Sequence, residues 1–286
     1  MSRIFLWGAG RCGRCLGLAL EHAGHQIVGS WNRTEAAAKS FAPVPWPIHW
    51  GASIPETLEE ADVVWVTVVD QAIAQEAARI GRPHHIMLHA SGALPARVLR
   101  GSQTPPRSVA SCHPLQSFTP VTLATDPIGQ VQRSTFGIEG EPEAVQVAQG
   151  LVADMRANTF VVKDETDKQL YHAACCVASN AMVALADLAV ELFAASGVSR
   201  EDGLRALAPL IQGTADNLSQ AADPKDVLTG PVHRGDTAVI KEHLNAIKAR
   251  CPELVSAYEQ TVRDTLKLVP QSPAKNALKP NEQQAD

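Results

Sequence analysis

Residues that could do chemistry gather first near the start of the chain, at Gly8-Ala9-Gly10-Arg11-Cys12-Gly13. Glycines in G-x-G-x-x-G order between a strand and a helix have a physical use. The first permits a tight turn, the second lets a pyrophosphate approach the backbone, and the third lets helix and strand pack closely. A helix starting there aims amide donors and its positive dipole end at an anion. Gly8 to Gly13, with Ala9, Arg11 and Cys12 between the glycines, are therefore read as a dinucleotide-binding turn. A turn kept only for packing is the alternative. At the end of the next strand, NAD binders usually carry an acid for the ribose 2′-hydroxyl. This chain has Ser30-Trp31-Asn32-Arg33-Thr34 instead. Arg33 can pair with a 2′-phosphate, and Asn32 and Thr34 can donate hydrogen bonds to it, so NADP is expected over NAD. The other reading of Arg33 is a solvated surface charge.

A second set lies later. Lys168, His172, Cys176 and Asn180 are each four apart and share one helix face. A reductase needs a proton donor, groups that hold the substrate, and exclusion of water. His172 is the first candidate for the donor, because imidazole titrates near working pH, and Lys168 is the second. Hydrogen bonding within helix packing is the other reading of His172. Asn180 could orient a substrate carbonyl, or simply pack. His113 and Ser117 follow a strand at the carboxyl edge of the sheet, where open α/β folds bind ligands, and are candidate substrate contacts. Val69, at the end of one expected strand, and Ser91, after the next, are expected beside the cofactor. Arg234 could grip a carboxylate with Asp236 beside it. Alternatively Asp236 caps the following helix and pairs with Arg234. Cys12 and Cys15 have C-x-x-C spacing, but the glycine turn already accounts for that stretch, and no second ligand pair suggests a metal.

These residues need a scaffold, and the apolar pattern supplies one. Strands are expected at Arg3–Trp7, Gln26–Trp31, Ala61–Val69, His85–His89, Ser108–Cys112, Thr135–Ile138 and Thr159–Val162. Helices are expected at Arg11–Ala23 with Gly24 as terminator, at Thr34–Phe41 capped by Thr34, at Gln71–Ile80, and at Glu141–Met155 with Pro142 in its first turn. The Pro- and Trp-rich stretch 42–53 reads as irregular. Alternating strands and helices indicate an α/β, parallel, doubly wound sheet over residues 1–163. From Asp164 to about Leu268 only helical periodicity remains: Thr166–Ser196 ending at Gly197, Arg200–Ser219, and two helices after Gly235 divided near Pro252. Residues 164–270 are thus expected to form an all-α domain. Residues 271–286, polar and with two prolines, are expected to be disordered.

Composition narrows the function. The 286 residues are 45% hydrophobic and 19% charged, so two packed domains are within reach. The formal net charge of −5 argues against a nucleic-acid groove, which needs a basic stripe. No basic amphipathic helix suggests a membrane surface. The most apolar stretch, Ala173–Val190, is broken by Ser179, Asn180 and Asp187 and reads as a buried helix. Six irregularly spaced cysteines do not make a disulfide framework, and with no leader pattern they point to the cytoplasm.

Several stretches go beyond a generic dinucleotide fold. These are Val66-Thr67-Val68-Val69-Asp70, Leu88-His89-Ala90-Ser91-Gly92-Ala93-Leu94, His113-Pro114-Leu115-Gln116-Ser117-Phe118, Tyr171-His172-Ala173-Ala174 with Ser179-Asn180, and Leu228-Thr229-Gly230-Pro231-Val232-His233-Arg234-Gly235-Asp236. From about Arg3 to Leu268 the chain resembles a bacterial family of Rossmann-like proteins with a C-terminal helical domain of unknown function, often labelled oxidoreductases. More distantly it resembles ketopantoate reductase, pyrroline-5-carboxylate reductase and deazaflavin-dependent NADP reductases. The resemblance implies a Rossmann domain, a helical domain used for homodimerisation, and a small-molecule site. Related reductases carry a lysine and an asparagine four apart in the helix after the sheet; here the order differs, and the member taking the lysine role stays open. His233 departs from the family, where a small apolar residue is expected. The reading is an NADP-dependent reductase of a small 2-oxo or imino acid. A deazaflavin–NADP oxidoreductase and a non-catalytic NADPH-binding regulator are the alternatives.

Overall fold

Val63-Val64-Trp65-Val66 shows how the N-terminal sheet is built. In a strand successive side chains leave on opposite faces. Val63 and Trp65 enter one apolar cluster and Val64 and Val66 enter another, so the strand is buried on both sides. That is the environment of a doubly wound sheet. The computed structural model of the chain describes residues 1–40 and 44–278.

The strands are β1 (Arg3–Trp7), β2 (Gln26–Asn32), β3 (Ile48–Trp50), β4 (Val63–Val66), β5 (Ile86–His89), β6 (Ser108–Pro114), β7 (Thr135–Gly140) and β8 (Asn158–Val161). They form one sheet in the order β3-β2-β1-β4-β5-β6-β7-β8. The first six follow the Rossmann order. The helices between them are α1 (Arg11–His22), α2 (Glu35–Lys39), α3 (Asp70–Ile80), α4 (Pro120–Thr125), α5 (Pro127–Gln132) and α6 (Pro142–Asp154). Leu16 and Leu20 of α1, Val131 of α5 and Leu151 of α6 fill the cluster on one face. Ile73, Ala77 and Ile80 of α3 fill the other. Each such fully buried Leu or Ile contributes about 1.5–3 kcal/mol.

Three expectations are corrected in this region. The sheet is not wholly parallel, since β6 and β7 run antiparallel. The chain leaves β6 through the short helices α4 and α5, which the sequence reading missed, and comes back beside β6 in the opposite sense. The stretch read as irregular contains β3, which pairs with Ser30, Trp31 and Asn32 as the sheet edge. Thr34 does cap α2, its hydroxyl accepting the Ala37 amide at 3.2 Å, but α2 ends at Lys39 and the expected end at Phe41 lies outside the described residues.

The later helices are α7 (Glu165–Cys176), α8 (Met182–Ala195), α9 (Arg200–Gln220), α10 (Pro231–Arg234), α11 (Thr237–Arg250) and α12 (Val255–Leu268). A π turn at Val177–Ala181 separates α7 from α8. The chain divides into two compact units, Met1–Ala178 and Ser179–Asp286. The division falls beyond Lys163, where the strand texture ends, because α7 packs on the sheet. Lys168 of α7 is fully buried and bonds Ser111 of β6.

In the second unit, α11 and α12 enclose Ile240, Leu244 and Val262. The tail expected to be disordered is ordered over Pro273–Leu278, a 3₁₀ turn whose Ala274 and Ala277 join that core. Gly235 has φ +79°, and a Cβ there would lie 2.5 Å from Pro273 Cγ, so the glycine admits the tail. The sequence reading saw polarity and two prolines and could not see two alanines meeting a core. Residues 279–286 lie outside the description. A further correction concerns Ala173–Val190, expected to be buried. Val177, Met182, Val183 and Leu185 are exposed, as are Leu204 and Leu210 of α9. By length and composition alone the helical run Glu165–Ala195 would suffice to cross a membrane.

The tail is also a stability element. Ser272 Oγ donates to the Val232 carbonyl at 2.6 Å in a buried setting. Ser272→Ala removes the shorter of the two bonds to that carbonyl, leaving only the Gly235 amide at 3.3 Å, and is expected to cost about 0.5–1.5 kcal/mol in urea unfolding. An unchanged midpoint would mean that the tail does not dock.

Candidate functional site

Two constellations stand at the carboxyl ends of the strands in the first unit. The first is the glycine turn. Gly8 leaves β1 with φ +107°, and its N–H donates to the Trp31 carbonyl at 2.8 Å, with Ala9 N–H donating to the same oxygen at 3.2 Å. Thr67 Oγ1, just past β4, donates to the Gly8 carbonyl at 2.7 Å. A Cβ on Gly8 would lie 2.6 Å from Val68 Cγ1, and one on Gly13 would lie 2.5 Å from Thr67 Oγ1 and 2.8 Å from the Gly8 carbonyl. Those two glycines are demanded by the protein itself. Gly10 is different, because a Cβ there would meet nothing within 4 Å. Its missing side chain leaves open space at the N-terminus of α1, as a ligand phosphate requires.

A cleft of about 400 Å³ adjoins this turn. Gly8, Gly10, Asn32, Arg33, Thr34 and Val69 all line it, together with Trp31, Thr67 and Glu76. Arg33 is exposed and forms no ion pair among the described residues. Asn32 is buried, and its Oδ1 has no hydrogen-bond partner among the described residues. Thr34 Oγ1 accepts the Ala37 amide but keeps its own proton to donate. Trp31 forms the floor, stacked on Trp7 with ring centroids 4.2 Å apart. Ala9, Cys12 and Gly13 do not line the cleft and lie behind the turn, while Arg11 opens α1 in an exposed position. Burial pushes the Cys12 thiol up to about 12 and the Cys15 thiol to about 11, which does not favour a reactive C-x-x-C pair.

One residue the sequence reading passed over ties this constellation together. Arg14, 1% exposed, donates from Nε to the Ala9 carbonyl at 3.0 Å and from Nη2 to the Ala38 carbonyl at 2.6 Å. It joins the glycine turn to the helix that follows Arg33 and Thr34. An arginine on the inner face of the otherwise apolar α1 was the available signal, because arginine is rarely fully buried without partners.

The second constellation surrounds Gly92, just past β5. Lys168 Nζ donates to Ser111 Oγ at 2.6 Å, and Ser111 Oγ donates to the Ser91 carbonyl at 3.0 Å. Lys168 forms no ion pair among the described residues, and burial holds its pKa below the usual lysine value, against the attraction of Glu139. Ser91 Oγ donates to Asp70 at 2.8 Å and accepts the Ala93 and Leu94 amides, so the hydroxyl expected near a cofactor shapes the loop. A Cβ on Gly92 would overlap His172 Cδ2 and lie 2.8 Å from His113 Cε1. His113 and His172 therefore converge there, with ring centroids 6.0 Å apart. His113 Nδ1 lies 2.5 Å from the Tyr171 hydroxyl, and His172 Nε2 lies 3.9 Å from Cys176 Sγ. Burial, the Lys168 charge and His172 push the His113 imidazole down to about 4, so it is neutral at pH 7. Tyr171 and Ser111 had no assigned role in the sequence reading. A tyrosine beside the chosen histidine was a visible signal, but its partner sits far away in the chain.

Of the expected stripe on α7, Lys168 is fully buried and His172 and Cys176 are half-buried. Asn180 falls in the π turn, where the spacing of four that put it on the stripe no longer holds, and it belongs to the second unit. Ser117 is exposed, and its amide bonds the Gln116 side chain. Arg234 Nε donates to Asp236 Oδ2 at 2.8 Å in an exposed pair. Asp236 stands at the N-cap of α11 but makes no side-chain cap bond. His233 is exposed on α10.

Two substitutions test this geometry. Arg14→Met removes the donors to two carbonyls and is expected to cost about 2–5 kcal/mol by chemical denaturation. A loss below about 0.5 kcal/mol would contradict the clamp. Gly92→Ala is expected to cost about 1–3 kcal/mol in unfolding, since both imidazole rings must move to admit the methyl group. It should move the imidazole resonances of both His113 and His172 in NMR spectra; unmoved resonances would show that the rings do not converge.

Comparison with known proteins bears on the whole chain. Residues 3–114 match the Rossmann-like domain family, and residues 134–265 match a family described as a domain of unknown function (DUF2520). No curated protein matches the sequence. Among solved structures, a candidate NADP oxidoreductase from Bacteroides fragilis superposes with TM-score 0.72 at 25% identity, covering 93% of this chain and 98% of that one. The 1-pyrroline-5-carboxylate reductase of Streptococcus pyogenes gives 0.62 at 14% identity, over 93% and 98% of the two chains. A reductive aminase from Aspergillus terreus, in complex with NADPH and ethyl levulinate, gives 0.62 at 18% identity, over 94% and 99%. At the identities of the last two, the likeness is one of fold.

Proposed function

Because this chain joins a Rossmann-like domain to a DUF2520 domain, as the family anticipated from its motifs does, we propose that it is an NADP(H)-dependent oxidoreductase that reduces a small 2-oxo or imino acid. The observation that carries the reading is the cleft of about 400 Å³, with the open turn at Gly10 on one side and Arg33, Asn32 and Thr34 on the other. The residues present fit a phosphorylated dinucleotide. Gly10 leaves room for a pyrophosphate, and the Arg33 guanidinium and Thr34 hydroxyl line the cleft as donors for a 2′-phosphate. The Bacteroides, Streptococcus and Aspergillus structures, each described as a reductase or oxidoreductase, support the same class.

When bound, a reduced nicotinamide supplies hydride to the substrate carbon. The chain's own residues do the rest. The turn and the N-terminus of α1 hold the pyrophosphate. Arg33 selects the 2′-phosphate by a charge-assisted contact. His172, at the converging face by Gly92, delivers the proton to the substrate oxygen or nitrogen. Lys168, the second candidate for that role, is sealed behind Ser111 and serves as a fixed buried charge.

A homodimer belongs to the same reading. Met182, Val183, Leu185, Leu204 and Leu210 leave an apolar surface on α8 and α9 without cover in the second unit, and surfaces of that kind mark association sites. The six free cysteines suit the cytoplasm.

Arg33→Ala should raise the KM for NADPH about 10- to 100-fold while changing that for NADH less than about threefold. Equal effects on both would remove the assignment. The substrate class is read by NADPH oxidation against a panel of 2-oxo acids and cyclic imines, with His172→Ala expected to lower kcat about 10²- to 10⁴-fold. Light scattering is expected to give twice the chain mass for the wild type, and Leu185→Glu should halve it. A wild-type monomer would overturn the dimer.

A further inference from the structure

Tyr171 has no place in the mechanism so far, yet its hydroxyl makes the 2.5 Å contact to His113 Nδ1. The phenol ring lies against Gly137 of β7, where a Cβ would come within 2.7 Å of the hydroxyl oxygen. The Cys175 thiol, kept protonated by burial, is the hydroxyl's other side-chain partner and can donate to its oxygen, which leaves the phenol proton for His113. The other imidazole nitrogen, Nε2, makes no hydrogen bond among the described residues and is not sealed from solvent. A Cβ on Gly92 would lie 2.9 Å from it, so Nε2 faces the surface on which His172 converges.

We propose that His113 is a catalytic hydrogen-bond donor, fixed with its proton on Nε2 by Tyr171, which acts as its positioning residue. This rests on the reductase reading of the same site. If Tyr171 donates to Nδ1, the single proton of a neutral imidazole must sit on Nε2. The surroundings keep the ring neutral. Lys168, Tyr171 and His172 face it from α7 and His89 from β5, while Cys175 and Cys112 act on Tyr171 and Glu139 of β7 on Lys168. Among these, the buried Lys168 ammonium opposes a second positive charge. A neutral donor of fixed tautomer can stabilise negative charge as it grows on the substrate oxygen or nitrogen, while His172 supplies the proton. The two imidazoles thus have separate tasks, one holding a hydrogen bond and one giving up a proton. A similar device appears nearby. His89 Nε2 lies 3.2 Å from the Pro95 carbonyl and so donates to it, while Nδ1 accepts the Ser91 amide, and this pins a buried neutral ring.

The test is nitrogen-detected NMR of ¹⁵N-histidine-labelled full-length protein without added nucleotide, with His113→Gln used to assign the resonances. In the wild type, His113 is expected as the Nε2–H tautomer and neutral down to below pH 5. Tyr171→Phe keeps the ring and removes the donor, so a mixture of tautomers is expected. In the NADPH oxidation assay the same variant should lower kcat about 10- to 100-fold with KM changed less than about threefold. An Nδ1–H tautomer in the wild type, or a charged ring at pH 6, overturns the proposal. So does a Tyr171→Phe enzyme with full kcat. The spectra need neither cofactor nor substrate. Failure of the wild type to oxidise NADPH with any panel member would therefore count against the reductase reading, and the tautomer would still decide the state of His113.

Discussion

The structure of the first unit depends on the backbone of Gly8. Its amide is held by the end of β2 through the Trp31 carbonyl, and its own carbonyl is held from the end of β4 through Thr67 Oγ1. Three strands are thereby pinned at their carboxyl ends by one residue in a left-handed conformation. A side chain there would be strained by φ and blocked by Val68. The pinning sets where α1 begins, and so where its amide donors point. Arg14 then carries the constraint sideways to Ala38, which fixes α2 behind Arg33 and Thr34. The cleft is the space these ties leave open.

The Gly92 constellation works by a different balance. Lys168 has been taken wholly out of water without an ion pair among the described residues, and a buried charge costs several kcal/mol unless other interactions offset it. The offset comes from Ser111 and the more distant Glu139, together with a depressed proton affinity. Its field, added to burial, keeps His113 neutral. Polar groups packed so tightly have few alternative arrangements. Gly92 makes the packing possible, because its absent side chain is the room that two imidazole rings occupy.

Much of this was legible in the sequence. The glycine turn, the donors at Asn32–Thr34 and nearly every strand follow from patterns confined to a few residues. The helix bounds after Glu165 follow from periodicity and from glycines such as Gly197, with φ +95°. What escaped depends on residues far apart. The antiparallel β7 gives no local sign of its direction, and β3 is a three-residue edge strand within a proline-rich stretch. The ordered tail relies on alanines whose burial is set by Gly235 and Val232. The Tyr171–His113 pair spans 58 positions, and the Lys168–Ser111 pair spans 57. Local reading marked His172 and Lys168 as reactive types but could not see that only His172 keeps a face toward Gly92 while Lys168 lies behind Ser111.

The central claim is that the cleft beside the glycine turn is built for a nucleotide bearing a 2′-phosphate. Calorimetric titration of the wild-type protein with 2′,5′-ADP and with 5′-AMP tests it directly, because the two ligands differ only in that phosphate. The account predicts that 2′,5′-ADP binds at least about tenfold more tightly, with an advantage that shrinks as salt rises. Equal affinities, or binding of neither, would contradict it.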